Sequence, residues 1–280
     1  MRDSITYSAD SKVSIFGGIL SMFRDYIDGF GLAKRLFIRD TLAQYRQSVL
    51  GFSWAIIVPL SSTLVWVLLN KSGILSVDDT GIPYPVFVLC GVLLWQAFLE
   101  ALNAPLSMFS KSRSILTKIN FPKEALIMAG FMKVLLNLGI KLVLFVCVLI
   151  YYQAPIGIHY LYAIPAVVMV LFIGITLGIF ITPFGALYGD VQRLVASTSQ
   201  LFFFLTPIIY PARTEGVFAT IDAYNPVAVF VGAARYSLTG AGTVDLGVYV
   251  AYSVLGVILF LFSMALYRVS MPIIIERIGS

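Results

Sequence analysis

Three ionisable residues stand inside long apolar runs: Glu100, Lys133 and Lys141. Lys133, Asn137 and Lys141 recur every four residues, which places them on one face of a helix. Gln96, Glu100 and Asn103 share a face one segment earlier. A charge at mid-bilayer costs about 2.5–3.5 kcal/mol on insertion scales, so such groups face water or a partner. Two readings stay open. One is a hydrated pathway or a Glu–Lys pairing between the two helices. The other is snorkelling of Lys133 and Glu100 to the interface. Snorkelling fails for Lys141, which lies about 16 residues into its segment, or about 24 Å at 1.5 Å per residue.

The same inventory excludes other chemistry. His159 is the single histidine, so one chain holds no His-based metal cluster or catalytic triad. Cys90 and Cys147 both sit in apolar runs and read as small hydrophobes, so neither a disulfide framework nor a metal site is expected. There is no G-x-x-x-x-G-K-[ST] and no G-x-G-x-x-G after a strand. Transport powered by ATP therefore needs an ATPase on another chain.

The elements that position these residues follow from hydropathy. The 280 residues are 59% hydrophobic and 12% charged, against about 25% charged in soluble domains. Lipid is the solvent that accepts such a chain, and helices satisfy every backbone group there. Six membrane segments are expected, at about 52–69, 84–106, 125–152, 160–184, 194–210 and 246–267. The fold class is all-α integral membrane. A cytoplasmic N-terminal part (1–51) precedes a six-helix domain (52–270) and a short tail (271–280). Met1 to Asp10 is polar, so no cleavable targeting segment is expected. Of the 19 Lys and Arg, fourteen fall on one side of this topology and only Lys71, Arg213 and Arg235 on the other. Both termini should therefore be cytoplasmic.

Three stretches interrupt the bundle pattern. From Ile15 to Phe30 the apolar residues fall in one arc, with Arg24, Asp25 and Asp28 opposite. This predicts an amphipathic helix lying in the membrane interface. From Gly216 to Leu238, two short apolar runs flank Asn225-Pro226. They read as two short helices re-entering from the outside, or as an ordinary surface loop. Between Phe109 and Glu124 lies a basic loop in which Ile115, Leu116 and Ile119 take helical spacing. It is either a small amphipathic helix that docks on a soluble partner or a positively charged topology determinant.

These pieces, in this order, are shared with a known family. The residues concerned are Arg39-Asp40, Tyr45-Arg46, Gly51, Trp54 and Pro59, then Gly91 and Trp95, then Lys118 with Phe121-Pro122. Tyr188-Gly189-Asp190, Pro207 to Tyr210 and Asn225-Pro226 follow. From about Ile15 to Arg268 the chain resembles the membrane subunit of ABC transporters that export polysaccharides, the O-antigen and capsule exporters. The family places Arg before the Asp that follows the fourth span; here that position is Gly189.

The resemblance implies a channel built from two copies, with two copies of an ATPase beneath it. ATP and magnesium would bind the ATPase, and this chain would carry no cofactor. Arg113, Ile115, Leu116, Lys118 and Phe121 would transmit the ATPase's motion. A helix at Leu36–Ser48 would sit at the cytoplasmic entrance. There Arg39, Tyr45 and Arg46 would meet the diphosphate of an undecaprenyl-linked glycan, since Arg pairs well with phosphate oxygens. Trp66 and Trp95, with Glu100, Lys133, Asn137 and Lys141, are the pathway candidates. Asp222, Asn225 and Pro226 belong to the exit helices. The expected partners are thus a second copy, the ATPase, the lipid-linked glycan and membrane lipid, with no nucleic acid. The expected place is a bacterial inner membrane. The alternatives are an ion- or proton-coupled transporter using Lys141 and Glu100, or an ABC permease for a small drug or lipid. Enzymatic activity is not expected.

Overall fold

The computed structural model describes residues 15–46, 48–77, 79–116, 121–153, 157–213 and 215–279. Among them every regular element is helical. Nine α-helices follow in order: α1 Ile15–Arg46, α2 Trp54–Lys71, α3 Tyr84–Leu116, α4 Glu124–Tyr151 and α5 Ala163–Leu187. Next come α6 Asp190–Leu205, α7 Val217–Tyr224, α8 Pro226–Thr239 and α9 Leu246–Gly279. Single 3₁₀ turns lead into α2 and α5.

Five of these are long and apolar enough to cross a bilayer: Gly51–Lys71, Tyr84–Leu116, Glu124–Tyr151, Tyr160–Leu187 and Leu246–Ile278. The protein is a multi-pass membrane protein. The 33 residues of α3 extend about 50 Å, beyond the roughly 30 Å of a hydrocarbon core. It is thus longer than one straight crossing requires, and its last turns carry Lys111 and Arg113.

α3 is the axis of the bundle. In its most apolar stretch 78% of residues are buried, against 11% for α2. α5 lies against it most closely. A Cβ on Gly178 would collide with the Leu102 carbonyl, and one on Gly174 would come within 2.8 Å of the Phe98 carbonyl. Such small-residue seams let helix backbones approach where lipid removes any hydrophobic drive between helices. Two apolar clusters result, labelled outer and inner after the sidedness that the charge pattern predicts. The outer one joins α3 (Val86 to Trp95), α5 (Val167, Val170) and α8 (Phe230, Val231, Ala234). The inner one joins α1 (Ala33, Leu36), the end of α3 (Phe109, Leu116), Phe121, α4 (Leu126, Ala129) and α9 (Tyr267, Met271).

Several boundaries differ from the sequence expectation. The N-terminal region is one 32-residue helix rather than an interface helix followed by an entrance helix. It contains no proline, and Gly29 instead serves packing: its Cβ position lies 3.4 Å from the Ala125 Cβ of α4. Side chains before Gly29 are outside the described set, and with them the polar and apolar faces expected for Ile15–Phe30. The expected small helix of the basic loop is, as far as Leu116, the end of α3. α6 begins at Asp190, four residues early, where an acid suits the positive end of a helix. It stops at Leu205 because Thr206 precedes Pro207 and takes extended geometry. α9 runs through Pro272 to Gly279.

Candidate functional site

The intramembrane charges meet. Lys141 Nζ lies 2.7 Å from Glu100 Oε1, and Asn137 Nδ2 donates to Oε2 at 3.1 Å. Glu100 sits midway along α3, and Asn137 and Lys141 stand one turn apart on α4. The Lys141 side chain is 3% exposed and that of Glu100 34%. The cation is thus sealed while the carboxylate keeps an open flank. The paired reading holds for Lys141. Asn103, on the Glu100 face, bonds its own helix at the Leu99 carbonyl instead. Lys133, two turns from Lys141, is half-buried within electrostatic range of Lys111, Asp40 and Glu100. Charge therefore runs from mid-bilayer toward the inner end along α3 and α4.

The aromatic candidates converge as well. Trp66 of α2 stacks on Phe203 of α6 at 6.0 Å, and Trp95 of α3 meets the same ring edge-on at 5.9 Å. Trp95 is buried in the outer cluster; Trp66 is partly exposed.

At the inner end, Arg39 directs both Nε and Nη2 at Asp40 Oδ1, at 2.8 and 2.7 Å. Its charge is therefore partly met within its own turn. Arg46 is exposed in the last turn of α1, which also carries Tyr45. Of the coupling candidates, Leu116 and Phe121 are buried in the inner cluster and Ile115 packs against it, while Arg113 is exposed. Lys118 lies outside the described residues. Arg113 borders a cavity of about 480 Å³ together with Phe109, Tyr188, Gly189, Gln192 and Arg277. Spacing along the chain does not reveal that grouping, because its members come from α3, the α5–α6 link, the start of α6 and α9. Asp190, lacking the family's preceding Arg, lies 3.7 Å from Arg193 with both side chains solvent-exposed.

At the outer end, α7 and α8 form the expected pair of short helices. Asn225 caps α8, its Oδ1 accepting from Val227 N at 3.0 Å and Ala228 N at 3.4 Å, and Pro226 occupies the first turn. The Asn225 amide also donates to Thr206 Oγ1 at 3.0 Å. The segment after α6 is held at further points. Tyr84 donates its hydroxyl to the Ile209 carbonyl at 3.1 Å, and Arg235 donates Nη2 to the Ile208 carbonyl at 2.7 Å. Arg235 is 4% exposed, with its guanidinium 3.9 Å from the centre of the Phe87 ring. Gly91 makes this possible: a Cβ there would strike both the Ile208 carbonyl and the Arg235 guanidinium. Asp222 accepts from the Arg213 backbone N–H at 3.2 Å. Burial pushes the Asp222 carboxyl above the ordinary carboxylate range, against the pull of Arg213.

Arg235 was not among the residues singled out by sequence. A lone Arg in a short helix reads as a surface charge, and only the packing of α8 on α3 and α5 buries it.

Apolar spans and a buried cation paired with a half-open carboxylate between two of them define a multi-pass membrane protein. The chain matches the ABC-2 type transporter family over residues 32–239, and it belongs to that family. The match runs from within α1 to the last residue of α8. The chain is similar to the O-antigen export system permease protein RfbA of Myxococcus xanthus. The two are 29% identical over 217 residues, covering 75% of this chain and 80% of the relative. It is also similar to the protein of the same description from Klebsiella pneumoniae, 27% identical over 199 residues, or 69% and 74% of the two chains. The chain is thus an ABC permease subunit rather than an enzyme, and ATP hydrolysis belongs to a separate subunit.

Proposed function

We propose that this chain is half of an ATP-driven channel that exports a lipid-diphosphate-linked polysaccharide, of O-antigen or capsule type, across a bacterial inner membrane. The observation that carries the substrate class is the likeness to two O-antigen export permeases over about 200 residues. A second copy completes the channel, and an ATPase subunit with ATP and magnesium drives it. The undecaprenyl diphosphate of the glycan meets the α1 end at Arg46 and, less directly, at Arg39.

Six crossings and cytoplasmic termini suit this role. α6 starts beside the inner cavity at Gln192, and the segment after it reaches the outer cavity at Pro207 and Arg213. Its 16 residues rise about 24 Å, and the extended residues that follow add the remainder. α7 and α8 both lie at the outer end, and α8 packs beside the first half of α3. That placement supports a pair that dips into the outer leaflet and returns.

The mechanism runs along α3. Its inner end carries Arg113 and leads into the basic loop, its middle carries Glu100, and its outer half holds the segment after α6. A push from the ATPase at residues 113–121 is delivered along one stiff helix to both the mid-bilayer pair and the exit.

The test is co-purification of the tagged chain with its ATPase and ATP-dependent translocation of lipid-linked glycan into inverted vesicles. Translocation driven by a proton gradient without an ATPase would overturn the proposal. Arg113→Glu should leave the complex in the membrane and disconnect ATP hydrolysis from export.

A further inference from the structure

Arg235 has no task in that mechanism that requires a charge. Nη2 binds a neutral carbonyl, the Phe87 ring covers one face, and among the described residues Nε has no hydrogen-bond partner. Among the described residues no carboxylate forms an ion pair with it. Buried charges in proteins are ordinarily paired, because removing an ion from water without a counter-charge is expensive.

Arg235 is one of the residues lining a cavity of about 710 Å³ at the outer end, between the α7–α8 pair and the start of α9. That is the size of a small-molecule pocket. Its α8 wall is kept low by Ala228, Gly232 and Ala233. Three carboxylates also border it, and each is engaged by backbone N–H groups. Asp79 accepts from Gly81 at 2.9 Å, Asp222 from Arg213 at 3.2 Å, and Asp245 from Gly247 at 2.9 Å and Val248 at 3.1 Å. They shape the loops and leave Arg235 without a counter-charge.

We propose that the outer cavity is an oxyanion site in which Arg235 is the recognition residue for a phosphate or carboxylate group. Guanidinium is the side chain best suited to such groups, through parallel N–H donors. Two sources share this chemistry: an acidic group carried on the exported glycan, and the phosphate of an outer-leaflet lipid. In the first case the surrounding carboxylates also accept from sugar hydroxyls. The glycan source rests on the exporter reading; the anion chemistry of the cavity does not.

The test uses the purified permease–ATPase complex in a polyoxyethylene detergent, free of phosphate and sugar. Glucuronate is titrated calorimetrically at constant ionic strength, with glucose as the neutral control. Wild type should bind one glucuronate per permease chain and glucose at least tenfold more weakly. Gly232→Leu should weaken glucuronate at least tenfold, because nothing lies within 4 Å of a Cβ at that position and the side chain fills the open space. Arg235→Gln should do the same, and Arg235→Lys should retain part of the affinity. Gly232→Leu leaves the Arg235–Ile208 bond in place, so it decides the matter even if Arg235→Gln misfolds. Failure of wild type to bind glucuronate, or undiminished binding by Gly232→Leu, overturns the site. Repeating the titration in phosphatidylglycerol nanodiscs separates the sources. Loss of affinity there assigns the site to lipid phosphate, and unchanged affinity assigns it to the glycan. Binding is read without ATP or transport, so a failure of the exporter proposal registers separately.

Discussion

Lys141 and Arg235 are both buried cations on helices, and they are accommodated in opposite ways. Lys141 lies against Glu100 with Asn137 completing the cluster. Arg235 has a carbonyl, an aromatic face and an open cavity. The difference follows from chemistry and depth. An ammonium is a compact charge that needs a close anion at mid-bilayer, whereas a guanidinium spreads its charge and stacks on rings. At the centre the pair locks α3 to α4. At the outer end the arginine ties a non-helical segment in place and keeps a donor in reserve.

The sharpest way to break this contrast is Glu100→Ala. It strands a buried ammonium and should cost about 3 kcal/mol of stability, read as a lower unfolding midpoint in detergent. The double variant Glu100→Leu with Lys141→Met should recover most of that loss, because a filled apolar contact replaces the pair. If the double variant remains as unstable as the single one, the pair does more than neutralise Lys141.

Gly91→Ala attacks the other cation. The added methyl displaces the Ile208 carbonyl and the Arg235 guanidinium. The expected cost is about 1–3 kcal/mol, with protease sensitivity appearing at residues 206–213. Unchanged proteolysis there would mean that Tyr84 and Asn225 hold the segment alone. Asn225→Ala should cost about 1 kcal/mol through loss of the α8 cap, and release Thr206 as well. Hydrogen exchange in the first turn of α8 reads that loss. The smallest effect belongs to the exposed pair of Asp190 and Arg193. Arg193→Ala should leave the unfolding midpoint unmoved, because a water-exposed ion pair contributes little.

Much of the architecture was legible before any coordinates. The spans stand out because lipid demands long apolar helices, and the Glu100 and Lys141 faces follow from a period of four. The Asn225-Pro226 break marks the junction of α7 and α8 because its residues act on their immediate neighbours. The sequence misjudged places where a local signal was outweighed. The N-terminal pattern gave an amphipathic helix over 15–30 and the resemblance a separate helix at Leu36–Ser48, within what is one continuous helix, α1. The basic loop seemed to begin at Phe109, although α3 remains helical as far as Leu116.

What the sequence determined by itself is helical identity, the place of five long apolar helices and which residues share a helix face; the sixth expected segment is the shorter α6. All of these depend on interactions a few residues apart. Only the tertiary structure decided that α3 is the axis, that Lys141 finds Glu100 rather than water, and that Arg235 is buried beside an open cavity. Those outcomes join residues 27, 41 and 125 positions apart. Contacts over such distances leave no periodic trace in the chain. They arise where glycines such as Gly91 and Gly178 allow backbones to come close enough for distant polar groups to meet.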